Sequence, residues 1–166
     1  GRALYSAQLQ QPEPDEIIVG DDGSTDETAR CAQDLGATVL RLPAANGSVA
    51  RNRAVEAATG DLLLFLDADD EWMPGKIALH LGAHANHECS MVMDPARRVS
   101  ANGQYRGLNG AGPEGLLDWR ALTDHMNWTS GSSFSVRRGC YLEMGGFNEQ
   151  LSKMQDVDFW VRCAYR

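Results

Sequence analysis

Carboxylates are the side chains in this sequence best placed to do chemistry. Asp21 and Asp22 follow the apolar run Ile17-Ile18-Val19-Gly20, and Asp67, Asp69 and Asp70 follow Leu62-Leu63-Leu64-Phe65-Leu66. If both runs are strands of one sheet, their acidic ends share an edge. Two charges about 4 Å apart there repel by about 4 kcal/mol at an effective dielectric of about 20. A hard divalent cation relieves that repulsion, and oxygen-only ligation suits Mg²⁺ or Mn²⁺, which keep several waters and complete their shell with phosphate oxygens. Asp67-Ala68-Asp69-Asp70 also reads as a solvated turn after a buried strand. A phosphatase nucleophile presented as D-x-D is a further reading, which Asp70 and Glu71 suit poorly.

Three more groups stand out. Arg51 falls in the first turn of an expected helix, an unfavourable place for a cation that an anionic ligand would offset. Asp156 stands where a last helix should begin, as a candidate base or as the N-cap of that helix. His80, His84 and His87 recur at helical spacing with Cys89 nearby, which could suggest zinc; a solvated helix face is the expectation. Trp72 and Trp128 are expected to pack rather than to stack on a ligand.

The elements that must position these residues alternate in type. A short helix over Arg2–Gln10 precedes the strand ending at Gly20. Ser24-Thr25-Asp26-Glu27 has the spacing of a capping box, opening a helix that buries Ala29, Ala32 and Leu35 and stops at Gly36. Ala37–Leu42 reads as a strand, Ser48–Thr59 as a helix with Ala50, Ala54, Ala57 and Ala58 as its stripe, and Asp61–Leu66 as a third strand. This order predicts an α/β fold, a mostly parallel sheet with helices on both faces, whose ligands bind beyond the carboxyl ends of the strands. Beyond residue 70 the pattern weakens. It predicts a strand at Ser90–Met93, a type I′ turn at Asn102-Gly103, a helix over Glu114–His125, a strand at Ser132–Val136, and a helix from near Asp156 with Val157, Trp160, Val161 and Ala164 on one face.

Composition narrows the functions available. At 166 residues the chain suits one domain, and 43% hydrophobic with 23% charged residues is ordinary for a folded soluble protein. A net charge of -8 makes nucleic acid a poor partner. The longest apolar run, Leu62–Leu66, is far short of the roughly 20 residues a membrane-spanning helix needs. Cys31, Cys89, Cys140 and Cys163 form no C-x-x-C pair and are expected to be reduced, mostly buried and cytoplasmic.

Taken together, Asp21-Asp22-Gly23-Ser24-Thr25-Asp26, Ala50-Arg51-Asn52-Arg53-Ala54, Leu64-Phe65-Leu66-Asp67-Ala68-Asp69-Asp70, Gly145-Gly146-Phe147-Asn148-Glu149 and Gln155-Asp156-Val157-Asp158-Phe159-Trp160 resemble family 2 glycosyltransferases of the GT-A, Rossmann-like fold, in that family's order and approximate spacing. The resemblance implies transfer of a sugar from a nucleotide-diphosphate donor, uridine-linked in the first instance, to a hydroxyl of a carbohydrate or lipid-linked acceptor, with inversion. It implies that Asp22 contacts the nucleotide base, that Asp21 lines the same pocket, and that Arg51 lies on the nucleotide side. Asp67 would hold the ribose, Asp69 the Mg²⁺ or Mn²⁺ with its diphosphate, and Asp156 would take the acceptor proton. The nucleotide-binding half would span about 1–70 and the acceptor side about 71–166, in a cytoplasmic domain able to work at the inner face of a membrane.

Two departures from the family pattern bear on this. Gln155 stands where Glu is usual, removing a charge beside Asp156. The family's first strand, which belongs between the strands ending at Asp22 and Asp67, has no counterpart ahead of Arg2, so the chain reads as truncated at both ends. Both keep a non-catalytic nucleotide- or carbohydrate-binding module in view; a sugar nucleotidyltransferase is disfavoured for want of a Gly-rich phosphate loop.

Overall fold

A computed structural model describes residues 1–86, 91–109, 115, 120 and 130–165. The expected helix over Glu114–His125, apart from Gly115 and Arg120, lies outside them, together with His87, Cys89 and Trp128. Helix α1 (Arg2–Gln8) leads into β1 (Ile18–Asp21), α2 (Thr28–Asp34), β2 (Thr38–Arg41) and α3 (Gly47–Ala57). Strands β1 and β2 pair in parallel, Ile18 against Thr38 through Asp21 against Arg41. Gly36, at φ +81°, ends α2 and turns the chain into β2. Helix α3 lies so close over β1 that a Cβ on Gly20 would stand 2.6 Å from the Ala50 carbonyl oxygen, which is why this strand position needs glycine.

Local chemistry at the two helix starts differs from expectation. Glu27 is itself the N-cap of α2 and makes no side-chain cap, so the predicted capping box does not form; Asp26 accepts the Thr28 amide instead. Asn46 caps α3 by accepting the amides of Ser48 and Val49, which starts the helix at Gly47 and puts Arg51 beyond its first turn. The buried stripe of α3 is Ala50, Val55 and Ala58, whereas Ala57 is exposed.

The second half builds β3 (Leu62–Leu64), α4 (Lys76–Asn86), β4 (Met91–Met93), β5 (Ala96–Val99), β6 (Tyr105–Asn109), β7 (Phe134–Arg137), α5 (Arg138–Glu143) and α6 (Gln155–Ala164). Strand β7 enters between β3 and β4 and runs antiparallel to both. The mostly parallel pairing expected from the sequence is therefore confined, among the described strands, to β1–β2, although β3 and β4 still point the same way. Phe134, Ser135 and Val136 are all buried, because β7 is central and covered on both faces. In the β5–β6 hairpin the Gly103 amide reaches back to the Ser100 carbonyl, and within the connecting turn Gly103 has positive φ while Asn102 does not, so the turn is the three-residue kind and not the I′ turn predicted.

Among the described strands β1 pairs with β2 alone and β3 with β7 alone. Glu16 ties the two groups: its Oε1 accepts the amides of Thr59 and Gly60, both at 2.8 Å, and these bonds hold its carboxyl below the usual glutamate range. The core is aromatic. Phe65 stacks on Phe134 at 4.9 Å between centroids, Trp160 meets Phe134 edge-on at 5.5 Å, and Tyr141 and Phe147 close the cluster against Phe159. Such pairs contribute about 0.5–1.5 kcal/mol each beyond their burial.

Helix α4 overturns the expected solvated histidine face. His80 and His84 are buried, and both rings bond the Ser135 hydroxyl, at 2.7 and 2.9 Å. Lys76, also buried, donates to Asp94 at 2.5 Å and lies 3.2 Å from the His80 ring. The cysteines differ as well: Cys31 is exposed, and Cys140 and Cys163 are half-buried free thiols.

Candidate functional site

The loop after β1 is shaped by its carboxylates. Asp21 is 4% exposed, accepts the Ser24 amide at 3.0 Å and lies 3.7 Å from Arg41. It is buried and holds the turn. Asp22 is half-buried and accepts the Ala45 amide at 2.8 Å, joining this loop to the segment that leads into α3. Gly23 makes the junction possible: φ is +80°, and a Cβ there would meet Ala44 at 2.8 Å.

Arg51 projects from α3 to Asp67, and its guanidinium bonds the Asp67 carboxylate. The guanidinium also lies over the Phe147 ring, 5.7 Å from its centroid. Asp67 is positioned from the other side, since its amide donates to Ser132 Oγ at 2.8 Å, just ahead of β7. Gly131 leaves the opening: a Cβ there would lie 3.1 Å from Asp67 Oδ2. The Asp70 amide bonds the Asp67 carbonyl, and this turn puts Asp69 in solvent, with no hydrogen-bond or ion-pair partner among the described residues. Trp72, expected to pack, is half-buried with its indole N–H on the Ser132 carbonyl. The structure thus brings Arg51, Asp67 and Asp69 to one edge.

Asp156 occupies the first turn of α6, half-buried, and its Oδ1 accepts the following amide, that of Val157, at 2.9 Å. The N-cap is Met154, a left-handed residue at φ 57° that makes no side-chain cap, so the capping alternative for Asp156 does not hold. Gln155 donates its amide to the Leu151 carbonyl at 3.0 Å, a bond a glutamate carboxylate could not make. No group of three or more His, Cys, Asp or Glu among the described residues is arranged to hold a metal ion by itself. A hollow of about 630 Å³ is lined by Asp61, Arg137, Cys140 and Cys163 among others, and by none of Asp21, Asp22, Asp67, Asp69 and Asp156.

Three supporting residues carry no signal that sequence reasoning used. Asn52, Ser132 and Asn46 hold, respectively, the Phe147 backbone, the Asp67 amide and the Glu149 carbonyl. Asn52 lies inside the segment Ala50-Arg51-Asn52-Arg53-Ala54, and an amide that can donate and accept at once is the signal it carries.

Comparison with known proteins agrees with this architecture. The sequence model of the family described as Glycosyl transferase family 2 matches residues 1–144. The succinoglycan biosynthesis protein ExoU of Rhizobium meliloti is 30% identical over 186 residues, covering 98% of this chain and 52% of that protein. The GalNAc(5)-diNAcBac-PP-undecaprenol beta-1,3-glucosyltransferase of Campylobacter jejuni is 29% identical over 183 residues, covering 99% and 58%. The chain therefore spans a little over half the length of these relatives. Among solved structures, S. aureus TarS 1–349 in complex with UDP-GlcNAc superposes with a TM-score of 0.77 at 19% identity, over 98% of this chain and 48% of that one. That likeness shows the α/β, GT-A fold. With the family match over most of its length, this chain belongs to glycosyl transferase family 2.

Proposed function

We propose that this domain transfers a sugar from a nucleoside-diphosphate donor, UDP-linked, to a hydroxyl acceptor with inversion at the anomeric carbon. The observation that carries the reading is the Arg51–Asp67 pair beside solvent-exposed Asp69, at the carboxyl end of β3. The TarS complexes with UDP and UDP-GlcNAc support the choice of donor. The nucleotide half runs over about 1–70 and the acceptor side over about 71–166. A carbohydrate or lipid-linked acceptor fits the relatives' names, which include succinoglycan biosynthesis and an undecaprenol-linked substrate.

The roles are those that the resemblance to family 2 implies. Asp22 meets the base, with Asp21 behind it holding the loop in shape. Arg51 offers the N–H groups not engaged by Asp67 to the diphosphate, and Asp67 orients the ribose. An exposed carboxylate two residues past Asp67 fits a hydrated Mg²⁺ or Mn²⁺ that arrives with the diphosphate and takes Asp69 as its protein ligand. When bound, such an ion offsets the charge that develops on the departing diphosphate. Asp156 takes the proton of the acceptor hydroxyl as its oxygen attacks the anomeric carbon.

No helix among the described residues is long and apolar enough to cross a membrane. Free thiols at Cys31, Cys140 and Cys163 suit a reducing compartment, so we place the reaction in the cytoplasm, at the inner membrane face for a lipid-linked acceptor.

Incubation of the protein with a panel of UDP-sugars and Mn²⁺ tests the proposal through UDP release and transfer; absence of both donor binding and donor hydrolysis overturns it. One observation favours a binding module instead, the commitment of Gln155 to Leu151 where the family carries an acid. That reading predicts UDP uptake without turnover.

A further inference from the structure

Asn52 uses every polar atom of its side chain. Its Nδ2 donates to the Phe147 carbonyl at 3.0 Å and to Glu149 Oε1 at 2.8 Å, while its Oδ1 accepts the Phe147 amide at 2.9 Å and the Tyr141 hydroxyl at 2.6 Å. The partners lie at least 89 residues away in sequence, so these bonds lock two distant segments. The contact also explains the second glycine of Gly145-Gly146. These two residues end α5 with the Gly146 amide on the Tyr141 carbonyl and the Gly145 amide on that of Leu142. Gly146 has φ +69°, and a Cβ on it would stand 2.7 Å from Asn52 Oδ1.

The same short segment is held from the opposite side. Arg162 of α6 donates to the carbonyls of Met144 and Gly146 at 2.6 and 2.7 Å and is fixed in turn by Asp158. Residues 144–149 are therefore a joint between α3, which carries Arg51, and α6, which carries Asp156. Asn46 adds a second tie from the start of α3 to the Glu149 carbonyl at 2.9 Å.

We propose that Asn52 is a positioning residue for transfer: by clamping Phe147 and Glu149 beside Arg51, it sets where the donor-side pair Arg51–Asp67 stands relative to Asp156. This rests on the roles given to Arg51 and Asp156 above. A clamp of this kind acts on the geometry of the reacting groups and leaves donor contacts in place, so its loss is felt in kcat. A displacement of about 1 Å at a reacting centre can cost about a hundredfold.

The test compares the protein with Asn52→Ala by amide hydrogen exchange at Phe147 and by steady-state transfer from UDP-GlcNAc or whichever UDP-sugar the protein turns over. Expected are exchange at Phe147 about tenfold faster or more, from one lost hydrogen bond, kcat lower by about tenfold to a hundredfold, and donor KM within about threefold. Should Asn52→Ala not fold, Asn52→Asp keeps the shape and both acceptor bonds but turns a carboxylate on the Phe147 carbonyl and Glu149. Adding Glu149→Gln to it should recover a measurable part of kcat with donor KM unchanged, whereas a purely structural defect would change the folded fraction and not kcat per folded molecule. Loosening at Phe147 with unchanged kcat overturns the inference, as does a loss confined to donor KM or no recovery in the double variant. If the unsubstituted protein binds no UDP-sugar and transfers none, the functional reading fails first and takes this one with it.

Discussion

Replacing Asp94 by asparagine should destabilise the protein by about 3 kcal/mol, and the reason lies in Lys76. The Lys76 side chain is 5% exposed and its ammonium has Asp94 as its only ion-pair partner among the described residues. Breaking a buried pair by removing one charge typically costs about 3–5 kcal/mol, because the remaining charge is left without compensation. The lower end applies here, since the Asp94 side chain is 18% exposed and an amide oxygen still accepts a hydrogen bond. For a domain of this size that corresponds to a melting temperature lower by roughly 6–12 °C, read by circular dichroism or urea titration. Lys76→Met with Asp94→Leu should recover much of the loss, since neither charge then has to be desolvated. The pH dependence follows from the two shifts. Burial alone would raise the Asp94 carboxyl, but His80 and Lys76 hold it below the usual range, so its contribution is present above the unfolded value near 3.9 and is lost as pH falls through the folded one. Burial pushes Lys76 down despite Asp94, so its ionisation opposes folding at neutral pH, and the cost is relieved as pH rises between the folded and unfolded values. An Asp94→Asn melting temperature within about 2 °C of the unsubstituted protein at neutral pH, or a double variant no better than the single, would refute the reasoning.

Gly20→Ala should cost about 1–3 kcal/mol, because its Cβ would meet the Ala50 backbone, and it should weaken UDP binding by shifting α3 and with it Arg51; calorimetry of UDP binding beside a melting curve checks both effects. Asp156→Asn should leave UDP affinity nearly unchanged and lower transfer by at least about a hundredfold; normal turnover removes Asp156 from the mechanism. Of the three described cysteines, a thiol reagent should label exposed Cys31 first and Cys163 slowly, since burial and neighbouring Cys140 push the Cys163 thiol up to about 12; mass spectrometry of digests at short times orders these sites.

The alternating strands and helices of the first half were legible because each is set by local pattern: an apolar run before Asp21, small residues at helical spacing, and a glycine after α2. So was the place of Asp67 and Asp69 just beyond β3, since a strand's carboxyl end is where the residues after it must go, whereas the Arg51 bond to Asp67 is made from a helix and no local pattern announces it. What could not be read is set across the fold. Spacing placed His80 and His84 on one face of α4, but only Ser135, more than 50 residues on, decides that the face is buried. The direction of β7 depends on partners on both sides, not on its own alternation. The partners of Asn52 could not be read either, because its four bonds close loops of 89 to 97 residues. Helix α3 begins at Gly47, one residue ahead of the expected Ser48, because the Asn46 side chain supplies the cap.

The most direct test of the central claim is a calorimetric titration of UDP into the protein in the presence of Mn²⁺, repeated with EDTA and with Asp69→Ala. The claim that a nucleoside diphosphate seats at Arg51, Asp67 and Asp69 with its ion predicts saturable binding with Mn²⁺ that falls by at least about tenfold on chelation or in Asp69→Ala. UDP affinity that is indifferent to both, or no binding at millimolar UDP with Mn²⁺ present, contradicts it.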